Sequence, residues 1–178
     1  MSAVPREIER PDAAARIRRV VDRFSRSIAI VPYSDQYRET ALVVARQIHA
    51  RSLYRNFVMD EAKVLAQLAM SGEGDARWRF FRLAVRRDQV IGGFYGVLQR
   101  AYWGDVLMAR DAGWWVRDEA RGGPAAILLL DSFETWARSM GALIAHVGQT
   151  GVENIERTGN LFLRCGYQFT GYNTAKAL

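Results

Sequence analysis

Apolar residues recur along the chain at two spacings, and the alternation between those spacings predicts an order of elements. Ile17, Val20, Val21 and Phe24 fall three and four apart, the signature of one helix face, and Pro11-Asp12 suits the start of that helix. Its other side, within Pro11 to Ser27, carries Arg16, Arg19, Arg23 and Arg26. Ser27 to Tyr33 is a short β-rich run stopped by Pro32. Ser34-Asp35 then offers capping residues to a helix reaching about Ala50, with Tyr37, Ala41, Val44 and Ile48 on one side. A second helical stretch runs from Asp60 to Met70, after an aromatic and basic link from Arg51 to Met59.

The spacing changes to two after a turn at Ser71 to Asp75. Trp78 to Arg86 alternates as a strand, Arg87-Asp88-Gln89 is a hairpin connection, and Val90 to Tyr102 is the partner strand. Gly92 and Gly93 within it mark a bulge or a close backbone approach. A turn at Trp103-Gly104-Asp105 leads to a strand from Val106 to Val116, and a Gly-Gly-Pro step opens a helix from Pro124 to Met140. A strand from Leu143 to Gln149, a helix from Asn154 to Arg164 stopped by Gly166, and a final strand from Tyr167 to Tyr172 complete the order. No internal repeat, low-complexity tract or linker divides it. The reading is a basic amphipathic helix over 1–26 followed by a single domain over 27–178.

Composition narrows the classes. With 178 residues, 49% hydrophobic and 25% charged, the chain has material for one real core. A single cysteine, Cys165, beside only His49 and His146, excludes an internal disulfide framework and a zinc cluster, so no metal is expected. No run approaches the roughly 20 apolar residues of a membrane helix, and the charged opening is unlike a signal peptide. The expectation is a soluble, cytoplasmic protein with no membrane partner. The net charge of +6 favours an anionic partner: nucleic acid, an acidic surface or a phosphorylated cofactor. Only Lys63 and Lys176 are lysine, and the arginines are scattered; scatter favours a solvated surface over a dedicated nucleic-acid face.

The most informative place is Arg121-Gly122-Gly123-Pro124-Ala125-Ala126, where a strand gives way to a helix through small residues. Backbone N–H groups there point outward at the positive end of the helix dipole, and an anion fits. The same residues also make an ordinary loop and helix start.

The stretch from Trp114 to Ala126, continued by Phe133-Glu134-Thr135-Trp136-Ala137-Arg138 and Gly141-Ala142, resembles the acetyl-CoA-binding motif of the GNAT superfamily of N-acetyltransferases. The family pattern, Arg or Gln, two residues, Gly, one residue, then Gly or Ala, falls on Arg121, Pro124 and Ala126. Glu156 to Tyr167 resembles the family's penultimate helix with its Leu-Gly-Tyr type of ending. The resemblance covers Ser27 to Leu178, is greatest to phage and prophage members, and implies an α/β (α+β) fold: a mixed, mostly antiparallel sheet flanked by helices, here with an extra amino-terminal helix.

It also implies acetyl-CoA as cofactor, held where two neighbouring strands splay apart. Trp115 and Val116 would bond its pantetheine arm, the N–H groups of Gly122, Gly123, Ala125 and Ala126 would hold its pyrophosphate with Arg121, and Thr158 would lie alongside. Acetyl would pass directly to an amine, small or on a protein, as a base removes the amine's proton. Asp111 is the first choice of base, on the strand entering the junction, and His146 on the next strand is the second. Arg51, Tyr54, Arg55 and Phe57 would wall the amine site. A homodimer would use the final strand or the amino-terminal helix.

Two departures from the family pattern matter. Pro124 stands where glycine is usual and has no N–H, which removes a hydrogen bond to a charged group worth about 1.5–3 kcal/mol. Phe162 stands where many relatives have a tyrosine that protonates the leaving thiolate, leaving Tyr167, Cys165 or water. These departures keep two alternatives open: a nucleic-acid-modifying enzyme of this type, and an inactive binding or structural protein.

Overall fold

A computed structural model describes residues 11–52, 54–69, 78–102, 104–148 and 155–171. In chain order the elements are helix α1 (Pro11–Phe24), strand β1 (Ala29–Pro32), helices α2 (Arg38–Arg51) and α3 (Glu61–Ala69), strands β2 (Arg79–Arg86), β3 (Gln89–Arg100) and β4 (Leu107–Val116), helix α4 (Ala125–Ser139), strand β5 (Ile144–His146) and helix α5 (Ile155–Arg164). The expected turn at Ser71 to Asp75, together with Trp103, Gln149 and Asn154, lies outside the described residues.

One element is corrected. Residues 167–171 form no strand, and Tyr172 lies outside the described residues. The cause is the way α5 ends. Gly166 adopts φ +91°, and its N–H donates to the Leu163 carbonyl while that of Tyr167 donates back to Phe162 at 3.0 Å. This pair of bonds closes the helix and commits the first amide that a strand would have used. Capping also differs from expectation. Ser34 makes no side-chain cap bond and precedes a short 3-10 turn, Asp35–Tyr37, whereas Asp60 caps α3 by accepting the Lys63 N–H at 2.9 Å.

The five strands form one sheet in the order β1-β2-β3-β4-β5. Neighbours run antiparallel up to β4, and β5 lies parallel to β4. The sheet is therefore mixed and mostly antiparallel, as expected. Arg87 and Asp88, both at positive φ, make the tight turn between β2 and β3, matching the twist of a two-residue hairpin. The Gly92-Gly93 pair answers both readings made of it. Ile91 beside it is the extra residue of a bulge opposite Ala84 and Val85, and a Cβ at Gly93 would sit 2.9 Å from the indole nitrogen of Trp115.

The two faces of the sheet are packed unequally. Against α4 the rings of Phe94 and Phe133 stack at 4.5 Å, with Phe80 edge-on to Phe133 at 5.7 Å, inside a core that includes Ala109, Leu129 and Leu130. Val21 and Phe24 carry α1 onto this side. On the opposite face a smaller cluster of the described residues buries Phe81, Leu83 and Val90, with Tyr33, Tyr37, Leu68, Tyr95 and Trp115 partly buried around them.

Candidate active site

β5 pairs with β4 at only three positions, Met108 with Ile144, Ala109 with Ala145 and Arg110 with His146. Beyond Arg110 the two strands part. Asp111 to Val116 stay paired with β3 on one edge, while on the other edge no strand of the described residues meets them. A bulge marks the parting: Gly96 faces Asp111 and Tyr95 faces Gly113, so Ala112 is the extra residue. The bulge resets the alternation of side chains. Trp114 therefore packs on the α4 side, against Phe94 and Phe162, and Trp115 joins the cluster on the opposite face.

Gly148 bridges the fork. Its N–H donates to Oδ1 of Asp111 at 3.1 Å, and its carbonyl accepts from Nε1 of Trp114 at 3.2 Å. Two side chains of β4 thus hold the backbone just beyond β5, where the ladder has ended. Burial around Asp111 pushes its carboxyl up to about 6, against a lesser opposing effect of the Gly148 bond. A carboxylate that titrates there is ionised at neutral pH yet basic enough to accept a proton.

A cleft of about 1650 Å³ opens over the fork and runs from α2 across the β4 end to the start of α4. Its wall bears eight arginines against the three carboxylates Asp111, Asp118 and Glu119, so its field favours an anion. Three of those arginines, Arg16, Arg19 and Arg23, belong to α1. The basic side of that helix is therefore part of the cleft and not simply a solvated surface.

At the β4–α4 junction Gly122 adopts φ +82°, and the first bond inside α4 runs from the Leu128 N–H to the Pro124 carbonyl. The N–H groups of Gly122, Ala125, Ala126 and Ile127 have no backbone acceptor among the described residues, a cradle suited to phosphate oxygens. Two expected donors, Gly123 and Arg121, are corrected. The Gly123 N–H turns inward to the Ala120 carbonyl at 3.2 Å. Pro124 has none. The Arg121 guanidinium folds back on its own loop, bonding the Val116 carbonyl at 3.3 Å and Asp118 at 2.9 Å, and it occupies the carbonyl expected to meet the pantetheine arm.

The remaining candidates divide. Thr158, Arg51 and Tyr54 line the cleft, as does the half-buried Cys165, whose thiol burial pushes up to about 11. Arg55 and Phe57 are exposed outside it. His146 is not brought to Asp111. Its neighbours Ala145 and Val147 pack into the α4-side core, so alternation turns the imidazole to the other face. Nor is Tyr167, which lies against Phe162 at 5.8 Å with its hydroxyl buried. Desolvation, with the Glu134 carboxylate nearby, holds that phenol well above its ordinary value. Phe162, in contact with both Trp114 and Tyr167, separates the phenol from the fork.

Sequence reasoning missed Gly148 and Arg157. Nη2 of Arg157 lies 2.7 Å from where a Cβ on Gly122 would be, a contact between α5 and the junction that no local pattern announces.

No family model matches the sequence, and no curated protein matches it. Solved structures do resemble the fold. An aminoglycoside acetyltransferase from an uncultured soil metagenomic sample, in complex with trehalose, is 12% identical and superposes with a TM-score of 0.64 over 89% of this chain and 99% of its own. The protein AAC(6′)-Iy, in complex with the bisubstrate analogue CoA-S-monomethyl-acetylneamine, is 14% identical with a TM-score of 0.65 over 85% and 97%. A GNAT family acetyltransferase from Staphylococcus aureus is 16% identical with a TM-score of 0.57 over 85% and 99%. At these identities the likeness defines the architecture, and the chain has the GNAT fold.

Proposed function

We propose that the protein is an acetyl-CoA-dependent N-acetyltransferase. The observation that carries this reading is the half-open edge of β4, with Asp111 at the fork and the helix α4 N-terminus at its far end. The residues fit the cofactor. Backbone groups of Asp111 to Val116 that no second strand takes offer hydrogen bonds to an extended amide arm, and the free N–H groups of Gly122, Ala125 and Ala126 suit its diphosphate. Acetyl-CoA, when bound there, supplies a thioester carbonyl open to direct attack by an amine.

Asp111, or a water it holds, takes the proton of the attacking amine, and Gly148 and Trp114 fix the carboxylate at the fork. Cys165 is protonated at neutral pH and serves as neither base nor nucleophile. With Phe162 in place of a tyrosine and Tyr167 screened behind it, a leaving thiolate would take its proton from solvent. The amine enters from the α2 side, past Arg51 and Tyr54. The arginine-rich wall suits an amine carrying a carboxylate or phosphate and repels a polycation, so an aminoglycoside has the wrong charge for it.

A panel of amines assayed by thiol release tests the proposal. Turnover is expected with amines bearing an acidic group and not with aminoglycosides, and Gly123→Glu, which sets charge and bulk at the diphosphate loop, is expected to abolish it. No thiol release from any amine, together with no binding of acetyl-CoA, would reject the reading.

A further inference from the structure

The junction that should grip a diphosphate is short of donors. Pro124 has no N–H, the Gly123 amide is spent on Ala120, and Arg121 is spent on Val116 and Asp118. Across the cleft stands a guanidinium with no such commitment. Arg157 lies in the first turn of α5, its side chain is exposed, and among the described residues it makes no ion pair or hydrogen bond. Its Nη2 rests over Gly122, in the space a side chain there would fill. The absence of a Cβ at Gly122 therefore does two things: it permits the positive φ, and it leaves room for the guanidinium to stand over the loop.

We infer that Arg157 is the side-chain ligand of the cofactor's diphosphate, clamping it against the α4 N-terminus and replacing the donors lost at Gly123 and Pro124. The inference rests on the acetyl-CoA reading above. A guanidinium presents two parallel N–H donors to one phosphate, a match that an ammonium lacks. The contact also joins α5 to the junction through the ligand, closing the cleft at its outer end.

Calorimetric titration of wild type, Arg157→Gln and Arg157→Lys with coenzyme A, dephospho-coenzyme A, ADP and pantetheine tests it. Arg157→Gln is expected to bind coenzyme A and dephospho-coenzyme A roughly 10- to 100-fold more weakly, the size of a lost hydrogen bond to a charged group. Lysine restores part of the loss, and pantetheine, which has no diphosphate, shows no change. An exposed, unpartnered side chain leaves folding intact, which an unchanged Tm verifies. Equal coenzyme A affinity in wild type and Arg157→Gln overturns the assignment and leaves the acetyl-CoA reading standing. A loss seen with coenzyme A but absent with dephospho-coenzyme A moves the contact to the 3′-phosphate and overturns the diphosphate role. Wild type that binds ADP through Arg157 but does not bind coenzyme A retains the anion clamp and overturns the acetyl-CoA reading.

Discussion

The two halves of β4 are one continuous strand with opposite duties. From Met108 to Arg110 it is paired on both edges, with β3 and with β5, and Ala109 is fully buried beneath α4. From Asp111 to Val116 it keeps β3 and has no second strand among the described residues. An unpaired edge in a mixed sheet is ordinarily a liability. Here it is bounded by Trp114 and Gly148 on one side and by the α4 N-terminus at the end, and it opens into an arginine-lined cleft. The lower half secures the fold, and the upper half, on the proposed reading, offers its backbone to the cofactor. Substitutions in the two halves should accordingly separate stability from function.

The largest effect belongs to the closed half. Ala109→Asp places a carboxylate with no partner in the core and should lower the unfolding free energy by at least about 3 kcal/mol, read by urea denaturation. A loss below about 1 kcal/mol would show that the closed half is not what holds the sheet.

In the open half, Asp111→Asn should reduce kcat by roughly 100-fold, the low end of a general base's contribution, with acetyl-CoA affinity unchanged. The same substitution should stabilise the protein. Burial raises the Asp111 carboxyl from 3.8 to about 6, so the folded state holds its proton more tightly than the unfolded chain. Stability therefore falls as pH rises through that window, and at neutral pH the whole penalty is in place. Removing it is worth at most about 3 kcal/mol, and the Asn carbonyl can still accept from Gly148. The wild-type kcat/KM should rise tenfold per pH unit below about 6 and level off above it. A variant that is both inactive and less stable would assign Asp111 to the structure.

Trp114→Phe sits at the boundary and should do less. The ring packing against Phe94 and Phe162 is kept, while the Gly148 carbonyl loses its donor, a cost of about 1 kcal/mol measurable in the same denaturation experiment. The smallest effect is expected far from either half. Arg46 and Glu61 pair at 2.6 Å on the surface, and Arg46→Ala should leave Tm and kcat unmoved, because exposed ion pairs contribute little.

The closed half was the more legible in the sequence. Alternation from Trp78 onward, the Arg87-Asp88 turn and the helix after Pro124 are local signals, and each appears within a residue or two of its expected place. The fork was legible only in part. Asp111 stood out by its position before the junction, but the Ala112 bulge is set by pairing with β3 and the Gly148 bridge depends on a partner 37 residues away. His146 and Tyr167 have suitable chemistry for catalysis; strand alternation and the ending of α5 turn them away from the fork. The donors at Gly123 and Arg121 were expected from residue type, yet the turn spends both on itself. Arg157 reaches the junction across a gap between two helices, which no periodicity records.

Hydrogen exchange along β4, with and without saturating acetyl-CoA, tests the division between the halves most directly. Amides of Leu107 to Arg110 should exchange slowly in both states, while the segment Asp111 to Val116 gains protection when acetyl-CoA binds. Unchanged exchange over Asp111 to Val116 in the bound protein would contradict the claim that the open half of β4 is where the cofactor lies.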